Sequence, residues 1–459
     1  MTVPAGGDLR RVIGFWGGTA LIIGITIGAG IFRKPYSLAR ELHDPWIIMG
    51  LWIGFGVISL CGALALAELA SMMPRTGGAY VFLRAAYGDS SAFVFGWIYL
   101  LVATPAAVGA LGTFFGELLS DLLGVKDRSY VPAIGIATIL FLTAANLVGA
   151  RLGSAIQSVF TAIKVGALLL IMAVSFFLVD GNWGNLSIRS GTEFSLGSLG
   201  AGAAAVIWAY DGWIAVSMIA GEVVAAEKLM KRIIVAGMAA IVFLYVGANF
   251  AYFHSMMLPE MAQSPGGVPQ AIMGKLWGGG GPFISACIMC SVFGALNGNI
   301  LAKPRVPYAL AQDGLTFAFL GKSHPRWSTP YAAILIQSAT AIVMLLLMRK
   351  DPGNLFDKLT TYFVVVEWSA LLFTVGAVFV LRWKMPDTER PFRTPWYPFI
   401  PLVFLVGTTV GLGAIVYGSV KKGDWSPVTG LGIALVGFPV YYLWKKPKAG
   451  SAPAPASLP

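Results

Sequence analysis

Gly24-Ile25-Thr26-Ile27-Gly28-Ala29-Gly30-Ile31 sits in the middle of the first long apolar run of the chain. A run of that length should cross a bilayer as one continuous helix. At about mid-depth, however, it carries Gly28 and Gly30, residues unfavourable to helix, on either side of the small Ala29. Unpaired backbone N–H and C=O groups are costly in hydrocarbon, so a break persists only where protein, a cavity or a ligand satisfies them. The stretch therefore predicts an interrupted transmembrane helix with a binding site at the interruption. The competing reading is close helix packing at small residues, and the rest of the chain has to decide between them.

The composition fixes the setting. Of 459 residues, 57% are hydrophobic and 12% charged, and the mean hydropathy is +0.76, which points to an all-α integral membrane protein with many spans. A net charge of +11 would suggest nucleic acid in a soluble protein. Here it follows from Lys and Arg collecting on the cytoplasmic side, and no nucleic-acid partner is expected. Cys61, Cys287 and Cys290 all lie in apolar runs, so packing rather than a disulfide or metal role is expected of them.

Breaking the sequence at charged, Gly and Pro clusters gives about twelve spans, at 11–42, 46–73, 90–123, 130–150, 154–179, 196–224, 233–257, 281–310, 330–348, 354–381, 397–420 and 428–444. With both termini inside, roughly 19 Lys/Arg fall on the cytoplasmic side against roughly 12 outside, which predicts a cytoplasmic N-terminus at 1–10 and a cytoplasmic tail at 445–459. The segment 74–80, Pro74-Arg75-Thr76-Gly77-Gly78-Ala79-Tyr80, reads either as a plain inner connector or as an inner-gate element. The Gly- and Pro-rich segment 258–280 is expected to cover the outer mouth.

The sixth span carries a second interruption, Trp208-Ala209-Tyr210-Asp211-Gly212-Trp213, with an acid and a glycine at mid-depth. Interruptions in the first and sixth spans are an odd number of spans apart, which reverses orientation. Residues 11–179 and 196–381 then read as inverted five-span repeats, with 397–444 appended and the site between the two breaks. Half-helix N-termini favour a carboxylate and the opposing carbonyls an ammonium, so facing breaks suit the head of an amino acid. Gly28, Ala29 and Gly30 would keep side chains clear.

Lys164 stands about ten residues, or roughly 15 Å of helix, above the cytoplasmic edge of the fifth span. An intramembrane ammonium at that depth is a functional candidate unless its stem snorkels out. Glu68 and Glu222 near cytoplasmic ends, and Glu117 near an outer end, are read as pairing with Lys or Arg. Glu367 lies deeper, and the sequence names no partner for it. Asn297 and Asn299 suit interhelical hydrogen bonds. His43, His254 and His324 fall at span ends or in a loop, and no cluster of catalytic or metal-binding groups occurs at one depth, so neither enzyme activity nor a cofactor is expected.

These residues carry a resemblance. Ile25 to Phe32, Ala67-Glu68-Leu69, Pro74 to Tyr80, Phe160-Thr161-Ala162-Ile163-Lys164, Ala209 to Trp213 and Phe293 to Gly298 resemble the amino acid-polyamine-organocation superfamily. The likeness is greatest to its L-type amino acid transporter family and within that to bacterial serine/threonine exchangers. The resemblance covers nearly the whole chain. It implies a LeuT-like five-plus-five inverted-repeat fold of twelve spans, with helices 1 and 6 unwound at mid-membrane. It further implies that Thr26, Ile27, Gly28, Ala29, Gly30, Ile31, Trp208, Ala209, Tyr210, Asp211 and Ala295 line the substrate site. Trp208 would act as the outer gate, and Lys164 would take the place of the sodium ion of sodium-coupled relatives.

Ala29 stands where many relatives have serine, so a hydroxyl donor is missing and recognition at the break falls to the backbone. Arg33 follows the break closely, either facing an outer vestibule or paired with an acid. The segment 121–129 has no cysteine, so no disulfide-linked partner subunit is expected. The function implied is sodium-independent exchange of neutral L-amino acids across the plasma membrane by alternating access. The alternative is proton-coupled or facilitative uptake in which Lys164 loses its charge during the cycle.

Overall fold

The computed structural model describes residues 11–148, 150–189, 195–348 and 355–444, with side chains omitted at 150–156. The tail at 445–459 and the N-terminus at 1–10 lie outside the described residues. Among those described, the only β contact is an isolated parallel bridge between Ile13 and Val223, and everything else regular is helical.

Among the described residues, eleven helices are long and apolar enough to cross a membrane. The expected sixth span is the exception. It is helical only over α9 (Leu196–Tyr210), 15 residues long. After Asp211 the chain turns through Gly212 and continues as the single turn α10 (Ala215–Met218). The shortfall from twelve thus lies at the predicted second break. The first span is likewise split into α1 (Phe15–Thr26) and α2 (Gly30–Glu41). Large apolar side chains such as Trp16, Phe177, Phe243, Phe373 and Val410 remain exposed along the spans, as a lipid-facing surface requires. The chain is a multi-pass membrane protein.

The remaining elements surround this broken pair. α3 (Pro45–Met72) packs on α11 (Ala226–Ser255), and α8 (Ala150–Phe177) packs on α1, α11 and α14 (Gly280–Ala302). The third span begins as α5 (Asp89–Ile98), widens to a π-helical turn at Tyr99–Ala103 and continues as α6 (Thr104–Leu122). The eighth is interrupted after α14 at Lys303 and Pro304 before α15 (Arg305–Gln312). Proline lacks the N–H that would continue the helix. α17 (Leu355–Lys384) lies against α6 and α9, and α18 (Phe399–Lys421) covers α9 and α3. The segment after α3 forms a turn at Thr76–Gly78 and then the short helix α4 (Ala79–Tyr87).

Candidate functional site

The two breaks touch. A Cβ at Gly30 would lie 2.5 Å from the Ala209 Cα, so only glycine lets α2 start against the last turn of α9. Gly212 has φ +122°, a conformation open to glycine, and a Cβ there would lie 2.7 Å from the Thr26 hydroxyl at the end of α1. Each unwound segment is thus seated on the helix end of the other.

Carbonyls released by the unwinding are claimed by side chains from neighbouring helices. Tyr245 on α11 donates its hydroxyl to Thr26 O at 2.8 Å and to Ala209 O at 3.1 Å, linking both breaks. Ser291 on α14 donates to Ile27 O at 3.1 Å. Lys164 on α8 donates to Gly24 O at 2.6 Å. One turn down the same face, Thr161 donates to Ala20 O at 3.0 Å. Thr161 and Lys164 stand at i, i+3 on α8 and Ala20 and Gly24 at i, i+4 on α1, each about one turn apart, so one face of α8 clamps one face of α1. Lys164 is wholly buried. Its stem does not snorkel, and its ammonium makes a charge-assisted bond to the backbone just before the break.

Between the breaks lies a cavity of about 20 Å³, lined by Ile25, Thr26, Gly28, Ala29, Gly30, Ala107, Leu111, Trp208, Asp211 and Asn299. Of the residues named from sequence, Thr26, Gly28, Ala29, Gly30, Trp208 and Asp211 border it. Ile27, Ile31, Ala209, Tyr210 and Ala295 stand behind them in this conformation. Tyr210 turns its hydroxyl away to Trp52 O at 2.9 Å, Ala209 backs Gly30, and the Ala295 methyl limits the space at Gly28. The first N–H groups of α2 have no partner within the helix, and they open beside this cavity.

Both ends of the route to the cavity are shut. On the face away from the termini, Trp208 meets Phe356 and Phe363 edge to face, with ring centroids 6.1 and 5.1 Å away. Above it Arg33 pairs with Glu117 of α6 and lies over the Phe114 and Phe356 rings. Lys34 reaches Asp357 of α17 at 2.6 Å and Thr360 at 3.1 Å. Both readings of Arg33 are thus met, since it pairs with an acid and also lines a larger vestibule of about 600 Å³ beyond this charged lid.

On the terminus-bearing face, Glu222 is held by Arg305 at 2.9 Å, and its carbonyl accepts the Val12 and Ile13 N–H groups. The segment 74–80 packs on the end of the sixth span, Gly77 N–H donating to Met218 O at 2.9 Å. Tyr80 donates to Asp313 at 2.8 Å, and Arg84 pairs with the same carboxylate at 2.6 Å. Burial, reinforced by Asp313, pushes the Tyr80 hydroxyl up, so it stays a donor. Glu68 takes Arg382, Arg390 and the Thr394 N–H. The bland assignment of Glu68, Glu117 and Glu222 to ion pairs thus matches the contacts. Asn297 bridges Asn146 at 2.9 Å and Gln157 at 3.3 Å, an interhelical network.

Sequence reading passed over one group. Lys303 is buried in the interruption of the eighth span, its Nζ 4.6 Å from the Phe363 ring centroid and 5.6 Å from that of Tyr99. Its positive charge acts on both Asp211 and Glu367. Glu367 accepts a hydrogen bond from the Tyr99 hydroxyl, which supplies the partner the sequence could not name. The signal was present, since Lys303 falls within the expected span 281–310 as Lys164 does within 154–179.

Comparisons with known proteins agree with this architecture. Over 447 residues the chain is 33% identical to the serine/threonine exchanger SteT of Bacillus subtilis (strain 168), covering 96% of this chain and 98% of the relative. It is 28% identical to the b(0,+)-type amino acid transporter 1 of Mus musculus over 450 residues, 97% and 90% of the two chains. It is 29% identical to the human cystine/glutamate transporter over 453 residues, 96% and 87% of the two. These relatives are transporters and exchangers rather than enzymes. With the amino acid permease pattern matched across residues 13–439, the chain belongs to the amino acid permease family of the amino acid-polyamine-organocation superfamily.

Proposed function

We propose that this permease exchanges neutral L-amino acids across the plasma membrane, independently of sodium and by alternating access, with both termini cytoplasmic. The observation that carries the reading is the mutual seating of the two breaks around one cavity, where the N–H groups at the start of α2, which lack partners within the helix, sit beside Ala29, Gly30 and Asp211. That setting suits a carboxylate and an ammonium held mainly by backbone atoms. Thr26 to Ile31, Trp208 to Asp211 and Ala295 form the site and its immediate wall, and Trp208 is the gate toward the vestibule.

Sodium independence rests on Lys164. Its ammonium is already bonded to Gly24 O, at the carbonyl-rich end of α1 where a bound cation would otherwise be stabilised. The two end closures complete the cycle. Substrate binding energy would favour the doubly closed state, and loss of either the Arg33–Glu117 and Lys34–Asp357 layer or the Arg305–Glu222 layer would open one side. The twelve-span, five-plus-five arrangement follows from counting the split sixth span as a crossing. A disulfide-linked partner is not part of this reading, since 121–129 lacks cysteine.

Counterflow in proteoliposomes tests the proposal. Labelled neutral amino acid should enter only when unlabelled substrate is inside, with equal rates in sodium and in choline. Strong uptake into empty vesicles would instead support a facilitative or proton-driven carrier.

A further inference from the structure

We propose that Glu367 is a proton-binding site, holding a proton in the closed carrier through a buried charge cluster shared with Asp211 and Lys303. The proposal rests on the transport reading above and adds a second ligand to it. Glu367 is wholly buried. One carboxylate oxygen accepts from Tyr99, and the other, Oε2, has no hydrogen-bond partner among the described residues. Lys303 is also buried, its Nζ without a hydrogen-bond partner and resting between the Phe363 and Tyr99 rings. Asp211 borders the small cavity and accepts from Trp368 Nε1 at 3.3 Å.

The other charged groups of α17 stand toward its two ends, Lys358 at one and Lys384, bonded to Ala86 O at 2.8 Å, at the other, and each end carries ion pairs of its own. Toward one end stand Lys34 with Asp357 and Arg33 with Glu117. Toward the other stands Glu68 with Arg382 and Arg390. Tyr362, on α17 itself, and Tyr87 of α4, bonded to Phe373 O, are neutral phenols. The middle therefore holds two carboxylates against one ammonium. An uncompensated charge in such surroundings is far more costly than a neutral hydroxyl lacking an acceptor. One proton on the cluster restores balance. Asp211 keeps its Trp368 donor when charged, whereas the unpartnered Oε2 of Glu367 is the place where a proton removes the greatest penalty.

The consequence reaches the substrate. Asp211 belongs both to this cluster and to the cavity wall, so loss of the proton leaves excess negative charge beside the substrate site and disfavours the closed state through which every exchange cycle passes. Exchange is then retained at low pH and lost as pH rises through the titration of the cluster.

Serine self-exchange in proteoliposomes, with equal pH on both sides, should fall at least about tenfold between about pH 5 and about pH 9. Glu367→Gln, which mimics the protonated acid, should flatten that profile to within about twofold. A flat wild-type profile, or a Glu367→Gln variant that keeps the wild-type decline, overturns the proposal. So does a pH-independent carrier that exchanges lysine in preference to serine, because a substrate ammonium would then balance the cluster. Infrared titration of the purified protein gives a readout independent of transport and of whether Glu367→Gln folds. The wild type should display a protonated-carboxyl stretch that bleaches at alkaline pH and survives Asp211→Asn, and absence of that band overturns the assignment. Failure of exchange at every pH with this band intact would count against the transport reading alone.

Discussion

Gly28 and Gly30 look equivalent in sequence but differ in their surroundings. At Gly30 an added Cβ meets the Ala209 backbone at 2.5 Å, while at Gly28 the nearest atom is the Ala295 methyl at 3.1 Å, with Leu111 and Ile25 O at ordinary contact distance. A 2.5 Å approach forces the two helix ends apart, whereas 3.1 Å asks for a shift of a few tenths of an ångström, so Gly30→Ala should already cost about 1–3 kcal/mol of overpacking and abolish exchange. Gly28→Ala should be tolerated with transport reduced by less than about tenfold, and only Gly28→Val should block substrate binding. Labelled amino acid binding to the purified variants checks both. At Lys164 the alanine variant leaves Gly24 O with no partner, at a cost of about 1–3 kcal/mol. It should remain folded by size-exclusion chromatography while counterflow is lost or severely slowed. Should both Gly30→Ala and Lys164→Ala exchange like the wild type, the break would be a packing feature and not a site.

At the scale of elements, most of the frame was legible because glycine pairs and intramembrane charge leave marks in a linear sequence. The interruptions at Gly28–Gly30 and at Asp211–Gly212, and the ion-pair reading of Glu68, Glu117 and Glu222, needed no contact information. What the sequence could not convey was which helix supplies each brace. Tyr245, Ser291 and Tyr99 are unremarkable in apolar runs, and their hydroxyls acquire meaning only when helix rotation points them at a freed carbonyl or a buried acid. A second matched pair of irregularities also emerges. The π turn of the third span and the interruption of the eighth are again five spans apart, and Tyr99 and Lys303 from them meet face to cation. Among these elements the lid on α2 invites a direct test. Glu117→Gln removes one half of the Arg33 pair, and a cysteine placed at Ala107 on the cavity wall should then react at least about tenfold faster with an impermeant thiol reagent added from the vestibule side. An unchanged rate would mean that Trp208 and the aromatic rings close that side without help from the ion pairs.

For the whole molecule, the decisive quantity is the size of the central cavity. About 20 Å³ admits little more than a water molecule, whereas ligand sites span hundreds of Å³. The closed state that holds substrate must therefore be wider at the breaks than this conformation, so affinity is linked to global conformation. An amino acid that is carried, present at about 100 times its Kd, should raise stability by about 2.7 kcal/mol, so a thermal-shift screen of the twenty amino acids identifies substrates without prior assumption. Conversely, Arg305→Ala strips the buried Glu222 of its cation and should cost about 3–5 kcal/mol, visible as a lowered Tm even where substrate is saturating. Double closure has an electrical side as well. With Trp208 and the Arg33 and Lys34 pairs at one end and the Arg305–Glu222 pair at the other, the doubly closed carrier offers hydrated ions no continuous wet path. A membrane crowded with copies in this closed form should remain as good an insulator as bare lipid, and patch or planar-bilayer recordings should register no current above that of lipid alone. Each translocation then costs the membrane potential only the charge of the bound ligands, the substrate and the proton at Glu367, that cross with it.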